Sequence, residues 1–100
     1  MYVPKFRLEL TKPARLDFRD ILSYTSQTWG EWQLVAYKSK IDAALSAIAQ
    51  NPYIGRTKHK LLVYPVGKHL IYYRIEAATV YVVRILHERM DAPHHLDDLA

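Results

Sequence analysis

A chain of 100 residues, 50% hydrophobic and 24% charged, has material for one packed core and too little length for two independent ones. The absence of cysteine excludes disulfide staples and thiolate metal sites and suits a reducing cytoplasm. Lys5, Arg7 and Glu9 interrupt residues 1–10, and no apolar run approaches the roughly 18 residues of a membrane span, so a soluble, cytoplasmic protein without membrane contact is expected.

Phe6, Leu8 and Leu10 alternate with Arg7 and Glu9, the period of a strand with one buried face. Thr11 then caps a helix that tolerates Pro13 in its first turn. Ala14, Phe18, Ile21, Leu22 and Thr25 form the inner stripe of that helix, with Arg15, Asp17, Arg19 and Asp20 on the other side. Gly30 ends the first helix, and a second starts almost at once with Leu34, Tyr37, Ile41, Ala44, Leu45 and Ile48 as its stripe. It stops at Asn51-Pro52. So short a connection predicts an antiparallel helical hairpin, which needs a sheet to cover its remaining apolar surface.

Beyond a turn-rich stretch from Asn51 to Thr57, strands are expected at Lys60–Tyr64, His69–Ile75 and Val80–His87. The turns between them are Pro65-Val66-Gly67 and Glu76-Ala77-Ala78-Thr79. The predicted fold is α+β in the order β-α-α-β-β-β, a helical hairpin on a mainly antiparallel four-stranded sheet. It forms one domain over residues 1–100 and ends in a short polar tail, 88–100, in which Leu96 and Leu99 either dock or stay mobile.

The net charge is +4 and the pI about 9.4. No acidic residue falls between Asp42 and Glu76, whereas Arg56, Lys58, Lys60, Lys68 and Arg74 do, with His59 and His69 beside them. Such a positive region attracts nucleic acid or an acidic protein without choosing between them, and it is equally a solvated face. Direct nucleic-acid binding stays open. It would need aromatic side chains exposed beside the charges, for which Tyr53, Tyr64 and Tyr72 are available.

Four stretches together resemble the RelE/ParE superfamily of bacterial toxins, and its ParE branch in particular. They are Ala14-Arg15-Leu16-Asp17-Phe18-Arg19-Asp20-Ile21-Leu22-Ser23-Tyr24 with Thr28-Trp29-Gly30; Ala49-Gln50-Asn51-Pro52-Tyr53-Ile54-Gly55-Arg56; Gly67-Lys68-His69-Leu70-Ile71-Tyr72-Tyr73-Arg74; and Val83-Arg84-Ile85-Leu86-His87-Glu88-Arg89-Met90-Asp91. Their order along the chain is the family's order. The stretch between Gly55 and Leu61 is shorter than in many relatives, which carry an additional Arg and Tyr there.

The resemblance implies the toxin of a type II toxin-antitoxin system, one that binds and traps DNA gyrase without a chemical step of its own and is neutralised by a ParD-like antitoxin. The alternative is ribosome-dependent cleavage of messenger RNA in the manner of RelE. That chemistry would draw charge from Lys58, Lys60, Arg74 and Arg84 and a proton carrier from His87. Strand alternation sets Arg84 and His87 on opposite faces unless the strand ends or bulges between them, which favours binding. Target contacts are expected from Arg84, His87, Arg89 and Met90 at the strand exit and from Arg56, Lys58 and Lys60 in the basic stretch.

Antitoxin contacts are expected on the hairpin, from Arg15, Leu16, Arg19, Tyr24 and Trp32, with Lys38 and Lys40 as further cations. Arg84, among apolar strand neighbours, must reach the sheet edge or meet a carboxylate. Trp29 and Trp32 flank the interhelix turn and read as hairpin packing or as an interface anchor. His94 and His95, near Asp91, Asp97 and Asp98, lack the spacing that aims two ligands at one ion and read as a solvated tail. Neither a metal nor any other cofactor is expected.

Overall fold

The computed structural model describes residues 6–96. Its elements are β1 (Arg7–Leu10), α1 (Lys12–Trp29), α2 (Glu31–Gln50), a single 3-10 turn (Pro52–Ile54), β2 (Arg56–Lys58), β3 (Leu61–Val66), β4 (His69–Glu76), β5 (Thr79–His87) and α3 (Ala92–Leu96). The sheet has five strands in the order β1-β5-β4-β3-β2. β1 pairs parallel to β5, and every other pair is antiparallel.

The expected four-stranded sheet is thus one strand short. β2 begins inside the stretch read as turns and runs one residue past it, unseen because its three residues are polar and all exposed and carry no alternation to detect. His59 and Lys60 form the turn between β2 and β3, both at positive φ (55° and 65°), so Lys60 does not open a strand. Pro65 and Val66, expected in a turn, complete β3. Proline is tolerated there because β2 pairs only with Leu61, Leu62 and Val63, leaving β3 an edge strand at Pro65. The turn that follows shrinks to Gly67-Lys68. Gly67 has φ 56° there, and a Cβ on it would run into the Tyr37 ring.

Alternation distributes the apolar residues over two faces of the sheet. Val66, Ile71, Tyr73, Val80, Val82 and Ile85 meet Ala14, Ile41, Ala44, Leu45 and Ile48 of the hairpin in the larger core. Leu61, Val63, Tyr72, Val83 and Leu86 form a smaller cluster on the other face, closed by Ala92 and Leu96 of α3. The tail is therefore docked as far as Leu96. The reading of Leu99, Asp97 and Asp98, like that of residues 1–5, falls outside the described residues.

The two faces are linked by a bulge in β5. Tyr72 pairs with Arg84 and Tyr73 with Val82, so Val83 is the extra residue and turns into the smaller cluster. No helix among the described residues is long and apolar enough to cross a membrane.

Candidate functional site

β1 stops at Leu10, opposite Val82, and leaves the edge of β5 unpaired beyond that point. The start of α1 takes over where the strand ends. The Thr11 N–H donates to Val82 O at 3.0 Å and its hydroxyl to Val83 O at 3.0 Å, while the same Oγ1 accepts the Ala14 N–H as helix cap. One turn later Asp17 accepts from Ile85 N at 3.0 Å and from Arg84 through Nε at 2.7 Å and Nη2 at 3.0 Å. The carboxylate thus replaces a missing strand and neutralises the arginine at once. Hydrogen bonding to Asp17 raises the Arg84 pKa, against the opposing effect of burial.

Asp17 had been placed on the solvent side of α1. Its side chain is only 16% exposed and that of Arg84 21%. Arg84 was expected to reach the sheet edge or to meet a carboxylate, and it does both, at the part of β5 that β1 leaves uncovered and against Asp17.

Next to this clamp lies a mostly apolar groove of about 350 Å³ between α1 and the end of β5. Asp17, Asp20, Ile21 and Tyr24 line one wall, at the i, i+3, i+4, i+7 spacing of a single helix face. His69, Ile85, His87 and Met90 form the rest. A second groove, beside β1 and α2, is larger at about 550 Å³ and contains none of the expected site residues.

The histidines at the first groove are tied into the fold. His69 and His87 pair across β4 and β5 with ring centroids 5.2 Å apart, edge to face. The Tyr37 hydroxyl lies 2.6 Å from His69 Nδ1 and 3.1 Å from Val66 O, and it also accepts the Lys68 N–H. Beyond the strand, Glu88 N donates to Lys68 O at 2.8 Å and Arg89 N to His87 Nδ1 at 3.1 Å.

Burial lowers the His69 pKa, with the His87 ring adding to the effect and Glu88 and Asp17 partly opposing it. The folded state therefore favours neutral His69, whereas the unfolded chain takes up the proton in the ordinary histidine range. Stability is complete above that range and declines as the pH falls through it. A urea midpoint that drops on acidification, and drops less in His69→Gln, is the expected result; an identical drop in both proteins would remove His69 as its source.

The structure brings together some of the expected residues and separates others. His87 and Met90 share the groove with Tyr24, which was expected at a different surface. Arg84 and His87 do lie on opposite faces, paired with Tyr72 of the smaller cluster and with His69. Arg56, Lys58 and Lys60 sit on the far edge strand and its turn, three strand spacings from β5, or about 14 Å. They form no common site with the exit residues.

On the hairpin, Arg15 is bound to Leu10 O and Arg19 pairs with Asp20, while Leu16 is 39% exposed. Trp29, at 68%, and Trp32, at 89%, are exposed, which rules out hairpin packing for both. Val35 is exposed beside them, a position the apolar stripe of α2 gave no reason to single out. Of the tyrosines offered for base stacking, Tyr53 is exposed, Tyr64 half-buried and Tyr72 buried. No group of three metal-ligating side chains occurs among the described residues.

Comparison with known proteins adds to this geometry. Residues 8–92 match the family model described as ParE toxin of type II toxin-antitoxin system, parDE. The chain is 32% identical over 91 residues to Toxin ParE1 of Caulobacter vibrioides, covering 87% of this chain and 94% of the relative. It is 32% identical over 95 residues to Toxin ParE1 of Mycobacterium tuberculosis, covering 90% and 97%. Among solved structures, a chain of the chromosomal ParDE TA system from P. aeruginosa superposes with a TM-score of 0.72 at 13% identity, covering 83% of this chain and 96% of that one; at this identity the likeness is one of fold.

Proposed function

The chain belongs to the ParE toxins of type II toxin-antitoxin systems, and from that premise we propose that it acts by binding DNA gyrase through the groove and exit turn at the end of β5. A ParD-like antitoxin covers the outer face of the helical hairpin, and both partners place the toxin in the cytoplasm. The reading assigns the protein no chemical step of its own.

The observation that carries it is the commitment of Arg84. Cleavage of RNA without a metal needs free cations and a positioned acid or base around one phosphate. Here both Asp17 oxygens hold the guanidinium, and Lys58 and Lys60 lie at the opposite edge of the sheet from His87. What the exit offers instead is contact area: Tyr24 is 65% and Met90 49% exposed around a groove that fits an apolar side chain.

The antitoxin face rests on Leu16, Trp29, Trp32 and Val35, exposed apolar residues of α1 and α2. Large exposed side chains, tryptophan above all, supply most of the energy of protein interfaces. Arg15, Arg19, Lys38 and Lys40 around them favour an acidic segment and speed its encounter more than they tighten it.

Purified gyrase assayed for supercoiling with and without the toxin, beside a ribosome-dependent RNA cleavage assay, tests the reading. Inhibited supercoiling with intact RNA is expected. Cleaved RNA with unaffected gyrase would overturn it in favour of a RelE-type nuclease.

A further inference from the structure

The exit turn is held by a hydrogen bond that only a neutral histidine can accept. Arg89 N donates to His87 Nδ1 at 3.1 Å, so Nδ1 must carry a lone pair and the ring proton must sit on Nε2. A protonated imidazole has a proton on both nitrogens and would set two donors against each other. We propose that His87 is a pH-sensitive lock: its protonation breaks the bond to Arg89 and frees the Arg89 backbone within the exit turn, while Met90 stays held through its N–H to His87 O.

The surroundings decide how the proton is placed. His69 faces His87 edge to face from β4 and holds Tyr37 of α2 behind it. Asp17, Asp20 and Tyr24 face the groove from α1, and Lys68 and Glu88 flank it at the turn. Two imidazolium rings at this separation repel, so the pair takes one proton before two. His69 is the ring in contact with Tyr37, and burial disfavours its charged form. Asp17 is already occupied by Arg84 and Ile85, so a charged His87 finds no ready partner there. What remains is a turn fixed by Glu88 N to Lys68 O and Met90 N to His87 O.

The consequence for partner binding rests on the proposed role of the exit turn; the lock itself is measured without any partner, so the two fail separately. The ring nitrogens of His87 and the protection of the Arg89 amide against hydrogen exchange are followed by NMR from about pH 7.5 to about pH 5.5, across the histidine range. The expected result is the Nε2–H tautomer at the upper end and a loss of Arg89 protection on the order of tenfold at the lower end. In His87→Asn the side-chain oxygen accepts the same N–H two residues on, as in an Asx turn, and does not titrate, so its protection stays level. A proton on Nδ1 at the upper pH, or equal loss of protection in the wild type and His87→Asn, overturns the lock.

Discussion

Replacing Asp17 with alanine is expected to lower the unfolding free energy by about 3 kcal/mol, in the range for removing one member of a buried ion pair. The change strands Arg84, with a side chain 21% exposed, without the carboxylate that receives its Nε and Nη2, and it leaves the Ile85 N–H without its acceptor at the uncovered edge of β5. Ordinary surface pairs offer a contrast. Arg19–Asp20 and Lys38–Asp42 have side chains at least half exposed, and removing either should cost well under about 1 kcal/mol.

The double variant Asp17→Leu with Arg84→Met should recover the part of the loss that comes from the stranded charge, while the Ile85 N–H still lacks its acceptor. Urea titration checks all of these. An Asp17→Ala protein within about 0.5 kcal/mol of wild type would mean that the clamp contributes no more than a surface substitution does.

The same clamp shows where the sequence stops being legible. Each element with a strong period was readable: the α1 stripe from Ala14 to Thr25, the α2 stripe from Leu34 to Ile48, and the β-branched run of β5. β2 was not, because a strand of three exposed polar residues looks like a loop until its partner is known. The bulge was not, since an extra Val83 in an apolar run leaves composition unchanged and shows only as a shift of register against Tyr72 and Tyr73.

For the site, Arg84 carried a usable signal: a charge among apolar strand residues demands a carboxylate. Which carboxylate it finds depends on β1 ending at Leu10, so that α1 carries Asp17 along the uncovered edge of β5, a fact of topology that no local pattern encodes. Tyr24 and Met90 were assigned to different surfaces because they are far apart in the chain, and only the packing of α1 along β5 joins them. Likewise Arg56, Lys58 and Lys60 are neighbours of the exit in charge but not in space. The meander places β4 and β3 between them and β5.

Trp32 and Met90 should separate the two proposed surfaces. Trp32, 89% exposed at the start of α2, is the most exposed large apolar side chain on the hairpin, and Trp32→Ala is expected to weaken antitoxin binding on the order of thirtyfold, the effect of losing one interface anchor of about 2 kcal/mol. It leaves gyrase inhibition unchanged, because the residue lies off the groove. Met90→Asp sets a charge in the apolar wall and should raise the toxin concentration needed to inhibit supercoiling at least tenfold, with antitoxin affinity preserved.

Tyr24 makes the experiment decisive rather than merely consistent. It belongs to the groove by contact and to the exposed hairpin by position, so Tyr24→Asp should weaken both activities if an antitoxin segment crosses α1 to reach the groove. Loss of gyrase inhibition alone would confine the antitoxin to the tryptophan end of the hairpin, and loss of antitoxin binding alone would take the target off α1. Equal losses in Trp32→Ala and Met90→Asp would remove the division into two surfaces altogether. Far-ultraviolet circular dichroism and the urea midpoint guard these comparisons, since all three side chains are exposed and their replacement should leave the core untouched.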